Sequence, residues 1–147
     1  MSRIALYRKY RSQTFGDLIG QEHVVRTLQN AVKAGTVNHA FLFTGPRGTG
    51  KTSSARLLAK VLNCPNQKDG EPCNECELCT TITDGHCMDV LEIDAASEAG
   101  VEDVRRLIVD VIEYRPTVAQ YKIFIIDEVH DLSAKAFDAL LKTIEEP

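Results

Sequence analysis

The stretch "HAFLFTGPRGTGKTSSARLLAK", His39 to Lys60, constrains the fold more than any other part of the chain. A short, almost wholly apolar run, His39 to Gly45, suits a strand covered on both faces. It enters "GPRGTGKT", Gly45 to Thr52, and then a helix-forming sequence. The octapeptide fits G-x-x-x-x-G-K-[ST] at every fixed position, and each residue type has a physical reason. Gly48 and Gly50 permit backbone angles that turn several N–H groups inward, where a side chain would obstruct an approaching phosphate. Lys51 supplies an ammonium for the β- and γ-phosphates, Thr52 a hydroxyl for Mg2+, and the helix N-terminus a partial positive charge. The expected nucleotide-binding set is therefore Gly45, Pro46, Arg47, Gly48, Thr49, Gly50, Lys51 and Thr52.

Elsewhere the pattern alternates between helix and strand. "SRIALYRKYRSQTFGDLIG" has no sustained period and reads as an extended arm ending in a turn at Gly16 and Asp17. "QEHVVRTLQNAVKAG" places Val24, Val25, Leu28 and Val32 on one helical face, closed by Gly35. "DVLEID", Asp89 to Asp94, and "KIFIIDE" read as strands; "VEDVRRLIVDVIEY" between them has helical spacing. Ser133 caps a last helix, "AKAFDALLKTIEE", that stops at Pro147. Alternation of this kind predicts an α/β fold with a parallel sheet flanked by helices, and the phosphate loop within it makes the expected architecture that of a P-loop NTPase.

"IFIIDEVH", Ile123 to His130, adds an apolar strand ending in two carboxylates. Asp127 is placed to hold Mg2+, with Thr52, and Glu128 to polarise the water that attacks a γ-phosphate. Lys51, Asp127 and Glu128 are thus the expected catalytic residues, with ATP and Mg2+ as ligands. Charge divides along the chain: Met1 to Lys60 carries ten Lys/Arg against two Asp/Glu, and Val61 to Pro147 seven against nineteen. A basic half suits a polyphosphate or nucleic acid, an acidic half Mg2+ or a basic partner; solvated helix faces account for the same charges more simply.

Four thiols crowd into "CPNQKDGEPCNECELC". Cys64, Cys73, Cys76 and Cys79 form C-x8-C-x2-C-x2-C, and two-residue gaps let a tight knuckle point both sulfurs at a tetrahedral Zn2+. An iron–sulfur cluster and free or redox thiols are the alternatives. Pro65, Gly70 and Pro72 mark a turn-rich loop rather than a continuing helix. Four thiolates leave a metal no open position, so the expected role is structural: a staple for a loop inserted over residues 63–80. Cys87 reads as a small buried side chain. His39, His86 and His130, at element ends, read as polar surface or capping groups.

No charged start precedes an apolar stretch, and no run approaches the roughly 18 residues a membrane span requires. A cytoplasmic protein is expected, where stable disulfides are uncommon. The arm with Tyr7, Arg8, Lys9, Tyr10 and Arg11 mixes cations with aromatics, as nucleic-acid or adenine sites do; a solvated, partly packed arm has the same composition.

With these residues placed, the chain resembles the gamma/tau subunits of the bacterial DNA polymerase III clamp loader, which are AAA+ ATPases. "YRKYRSQTFGDLIGQEHVVRTL", "HAFLFTGPRGTGKTSSARLLAK", "LEIDAAS", "IIDEVH" and "ALLKTIEEP" look like that family's segments in its order, as does the four-cysteine insertion. The resemblance implies ATP-driven opening of a sliding clamp and its loading onto primed DNA by a five-subunit assembly, within a replicative polymerase holoenzyme whose polymerising subunit is another chain. It also implies that Tyr7, Arg11 and the "GQEHV" around Gln21 to Val24 form the adenine side of the pocket. Ser12 stands where the family usually has proline, which loosens the arm without removing a ligand. The family's sensor strand, arginine finger, helical lid and collar would follow Pro147, so residues 1–147 are expected to be an incomplete ATPase domain. Alone, such a piece should fold poorly or pair through strand edges and hydrolyse little ATP. Two other readings are a DExH-type helicase fragment, from "DEVH", and an ATP-bound scaffold that only holds shape for partners.

Overall fold

The face predicted for Val24, Val25, Leu28 and Val32 is the face that α1, Glu22–Ala34, turns to a core. Gly35, in the left-handed region, ends the helix with its N–H on the carbonyls of Ala31 and Val32. The computed structural model describes residues 10–97, 106 and 110–145. The chain divides into two compact units, Met1–Val37 with Phe43–Thr80 and Asn38–Leu42 with Thr81–Pro147.

In the first unit, α2 (Lys51–Asn63) buries Leu57, Leu58 and Val61 against Leu28 of α1 and Phe15. Phe15 belongs to a short 3-10 turn, Phe15–Asp17, at the position where the sequence predicts a turn. Asp17 Oδ2 secures that turn by accepting the N–H groups of Gln13 at 3.0 Å and Thr14 at 2.9 Å. Complete burial of Phe15 and Leu57 contributes about 1.5–3 kcal/mol apiece. Leu18, Phe43 and Leu62 also pack against the cluster.

The second unit holds a parallel pair, β1 (Val90–Asp94) and β2 (Ile123–Asp127), in register from Val90 opposite Ile123 to Asp94 opposite Asp127. Ile93 is buried, and Phe124, Ile126, Ile112, Leu132 and Leu140 pack on it. Helix α4, Ala134–Glu145 in chain order after α3 (Glu77–Asp84), starts as expected: Ser133 Oγ accepts the Ala136 N–H at 3.2 Å. His39 behaves as a capping group, its Nε2 lying 2.8 Å from the Ile144 carbonyl in the last turn of α4. Of the helix expected over 101–114, Arg106 and residues 110–112 are described and are helical; the remainder falls mostly outside the described residues.

Two expectations are corrected. No strand forms over His39 to Gly45, and the described sheet has the two strands β1 and β2 alone. A strand exists through its ladder, and neither described strand takes this segment as a neighbour; Leu42 is 77% exposed instead of covered on both faces. Cys87 is half-buried rather than enclosed.

Asp89, just before β1, was not singled out by its sequence context. It is fully buried, and its carboxylate accepts the N–H groups of Thr117, Val118 and Ala119 at 2.7–2.8 Å. Burial pushes this carboxyl up, but those three donors and the Lys122 ammonium hold it below its ordinary value. The carboxylate thus fastens the loop that delivers the chain to β2. Asp89→Asn should cost about 2 kcal/mol at neutral pH. A depressed folded-state pKa gives stability that is present above the unfolded value, about 4, and is lost as pH falls through the folded one. Denaturant unfolding should therefore show wild type and variant converging below about pH 4; a gap unchanged at pH 3 would exclude the charge as the cause.

Candidate functional site

The glycine loop is stabilised by its own polar atoms. Gly48 and Gly50 adopt φ of 83° and 82°, a region that residues with a Cβ seldom enter. Gly50 is also the N-cap of α2, and its carbonyl accepts the Ser54 N–H at 2.8 Å, so the loop runs directly into the positive end of that helix. Lys51 Nζ donates to the carbonyls of Gly45 and Pro46 at 2.9 and 2.8 Å, and Thr49 Oγ1 donates to Pro46 at 2.9 Å. The ammonium is thereby folded over the loop that the sequence assigns to phosphate. Gly45, Pro46, Arg47 and Gly48 are exposed; Thr49 and Thr52 are half-buried. A Cβ on Gly50 would meet Leu18 Cδ2 at 3.4 Å, which puts the Leu18 side chain against the loop.

Of the arm residues, Tyr7 lies outside the described residues, as do Arg8 and Lys9. Arg11 is half-buried, and its carbonyl accepts Gln13 Nε2 at 3.1 Å. Gln21 is the N-cap of α1, and Val24 enters the core. The first unit therefore holds Arg11, the glycine loop and the four cysteines, whereas Asp127 and Glu128 belong to the second.

Asp127 ends β2, and its Oδ1 accepts the Glu128 N–H at 3.2 Å. Glu128 has φ 51° and ψ 45°, a left-handed conformation that costs a non-glycine residue about 1–3 kcal/mol. That strain turns the chain into the 3-10 segment Val129–Asp131. Two features here escaped the sequence reading. Asp94 stands opposite Asp127 in the ladder, so both strands end in carboxylates at one edge. His130 Nδ1 lies 3.6 Å from Glu128 Oε2, and its Nε2 3.7 Å from Asp131 Oδ1, so this histidine faces carboxylates on both sides. The strand-end pattern carried a signal for Asp94; nothing in the sequence foretold the His130 contacts.

The four cysteines do converge. Their Sγ atoms all lie within 4.8 Å of one another, with Cys73 to Cys79 and Cys76 to Cys64 both at 4.0 Å. Zn–S bonds of about 2.3 Å in a tetrahedron place sulfurs about 3.8 Å apart, so the cluster geometry is consistent with zinc. Backbone N–H groups face the sulfurs: Cys73 to Cys64 Sγ at 3.4 Å, Cys76 to Cys73 Sγ at 3.3 Å and Cys79 to Cys76 Sγ at 3.4 Å. Asn74, at φ 61°, makes the knuckle between Cys73 and Cys76. Hydrogen bonds from the Glu75 and Cys76 backbones lower the Cys73 thiol to about 6, while burial pushes Cys64 and Cys79 up. A divalent cation bound among the four sulfurs would displace the protons that burial favours on Cys64 and Cys79. Lys60 is 3% exposed; burial lowers its pKa and the four cysteines raise it, and its Nζ donates to Gln13 Oε1 at 2.8 Å.

The chain thus combines a parallel strand pair, a glycine-rich loop feeding a helix and a four-cysteine cluster after that helix. The family model described as DNA polymerase III, delta subunit, matches residues 20–147. DNA polymerase III subunit tau of Bacillus subtilis is 55% identical over 147 residues, covering 100% of this chain and 26% of that protein. The tau/gamma subunit of Haemophilus influenzae and the tau subunit of Escherichia coli K12 are each 52% identical over the whole chain, with 21% and 23% of their own lengths covered. The chain belongs to the DNA polymerase III gamma/tau subunits, within a family whose model carries the delta-subunit description. It spans about a quarter of the length of these relatives. Among the described residues, no helix is long and apolar enough to cross a membrane.

Proposed function

We propose that this chain is the nucleotide-binding portion of an AAA+ clamp-loader ATPase. In this reading residues 1–147 are part of a P-loop NTPase domain, with its zinc-binding insertion at 63–80. The observation that carries it is the glycine loop at the N-terminus of α2, with the Lys51 ammonium folded over it. Backbone N–H groups of Gly48 to Lys51 and the helix end offer donors to a triphosphate, and Lys51 exchanges two loop carbonyls for phosphate oxygens. Thr52 and Asp127 are assigned to Mg2+, which neutralises phosphate charge when bound. Glu128 orients and polarises the attacking water, and its strained backbone suits a residue whose position is imposed by function. Tyr7 and Arg11 are assigned to the adenine side. Cys64, Cys73, Cys76 and Cys79 hold Zn2+ as a structural staple. In this reading the whole protein works with other clamp-loader subunits, a sliding clamp and primed DNA in a cytoplasmic, pentameric assembly.

Lys51→Ala in the full-length subunit should weaken ATP binding roughly 10-fold or more, because a charge-assisted contact to the phosphates is lost. Calorimetric titration measures it. An affinity equal to wild type would remove Lys51 from the site.

A further inference from the structure

The zinc loop does more than close on itself, and Glu71 is the residue that reaches outward. Lys68 and Glu71 exchange both backbone hydrogen bonds, at 3.0 and 2.9 Å, around Asp69 and Gly70 at φ 55° and 76°. Positive φ at both central residues makes this a tight two-residue turn of the Asp-Gly type. Gly70 is pressed on α1: a Cβ there would meet Gln29 Cα and Cβ at 3.1 Å and its carbonyl oxygen at 3.2 Å. So seated, the turn brings the half-buried Glu71 carboxylate to α1 and to the Phe15 turn. Its Oε2 accepts the Phe15 N–H at 2.8 Å, and its Oε1 accepts Gly16 N–H at 3.1 Å and Gln29 Nε2 at 2.9 Å.

Three donors from two separate elements thus depend on one side chain two residues before the thiol of Cys73. The segment they fasten leads to Leu18, which lies against Gly50 of the glycine loop. At the other end, Cys64 immediately follows α2, the helix whose first residue is Lys51. A loop this short, rich in turns and without a core of its own, would hold its shape through the metal that its four thiols fit. With and without a metal such a loop would have two states, the bistable element that a coupling between sites requires.

We propose that Glu71 is a positioning residue through which the metal-folded cysteine loop sets the Phe15–Leu18 segment on the glycine loop, so that zinc occupancy and nucleotide affinity are linked. This rests on the glycine loop binding nucleotide. The linkage is reciprocal: each ligand raises the affinity for the other by one factor.

The test uses the full-length subunit, the β,γ-imido analogue of ATP, and zinc affinity from competition with a chelator. In wild type, removing zinc weakens analogue binding roughly 5-fold or more, and saturating analogue tightens zinc by the same factor. Glu71→Leu keeps its zinc, loses affinity for the analogue, and shows zinc affinity that no longer responds to it. Glu71→Gln, which retains an acceptor oxygen, recovers part of both. Nucleotide binding in wild type without any effect of zinc overturns the linkage, and a Glu71→Leu protein that keeps it overturns the role of Glu71. Wild type that binds no analogue at all overturns the nucleotide reading itself, and the linkage with it.

Discussion

Substituting Cys76 by serine should abolish zinc binding by the cysteine cluster. Cys76 Sγ lies 4.0 Å from Cys64 Sγ and accepts the Cys79 N–H at 3.4 Å, so it is an integral corner of the cluster. A serine hydroxyl does not ionise near neutral pH, and three thiolates no longer enclose a tetrahedral ion. The apparent free energy at stake is on the order of 10 kcal/mol, the largest single contribution available to a segment with no core. Zinc content of the purified full-length subunit should fall from about one atom per chain to near none. Limited proteolysis should then cut within residues 65–75, where wild type resists. Cys87→Ser is the control and keeps its zinc, since Cys87 is not part of the cluster. Acid should mimic the mutation: the buried thiols of Cys64 and Cys79 hold protons tightly without a cation, so falling pH favours proton over metal. Wild-type protein purified without zinc, or Cys76→Ser with a full complement, would end the proposal.

How much of this was readable from the sequence depends on how local each feature is. The cysteine cluster is local: sixteen residues carry all four thiols, and two gaps of two residues dictate the knuckles, so spacing alone located Cys64, Cys73, Cys76 and Cys79. Helix α1 and the Ser133 cap follow from patterns spanning a few residues, and both appear where expected. By contrast, "HAFLFT" has strand composition, but composition does not supply a neighbour, and the segment lies outside the sheet. Glu71 and Asp89 escaped notice for a related reason. Glu71 finds its partners 42 to 56 positions away, and Asp89 finds its own 28 to 30 positions away. A lone carboxylate in a turn or before a strand has no signature that separates a solvated charge from a buried fastener. Only the "KDGE" turn, with its demand for positive φ, hinted that Glu71 would be held in a fixed direction.

Glu128→Gln should separate hydrolysis from binding. The exchange keeps the size of the side chain and should leave the left-handed backbone at φ 51° unchanged, while removing the charge proposed to polarise water. The glycine loop belongs to the other unit, and its contacts with Lys51 do not involve Glu128. In the assembled complex with clamp and primed DNA, steady-state ATP hydrolysis should fall about 100-fold or more, the usual contribution of a positioned base, with ATP affinity within about 2-fold of wild type. His130 offers a finer discrimination, because its ring lies 3.6 Å from the Glu128 carboxylate. His130→Gln should lower turnover by a much smaller factor, as a neighbour that restrains the carboxylate rather than one that acts on water. If the protein were a scaffold that merely holds nucleotide, both variants would hydrolyse as wild type does. A loss of ATP binding equal to the loss of turnover in Glu128→Gln would instead show that the carboxylate supports the nucleotide pocket, and the assignment of the hydrolytic base would have to move to another of the acids, with Asp94 the first candidate because it pairs with Asp127 at the same strand ends.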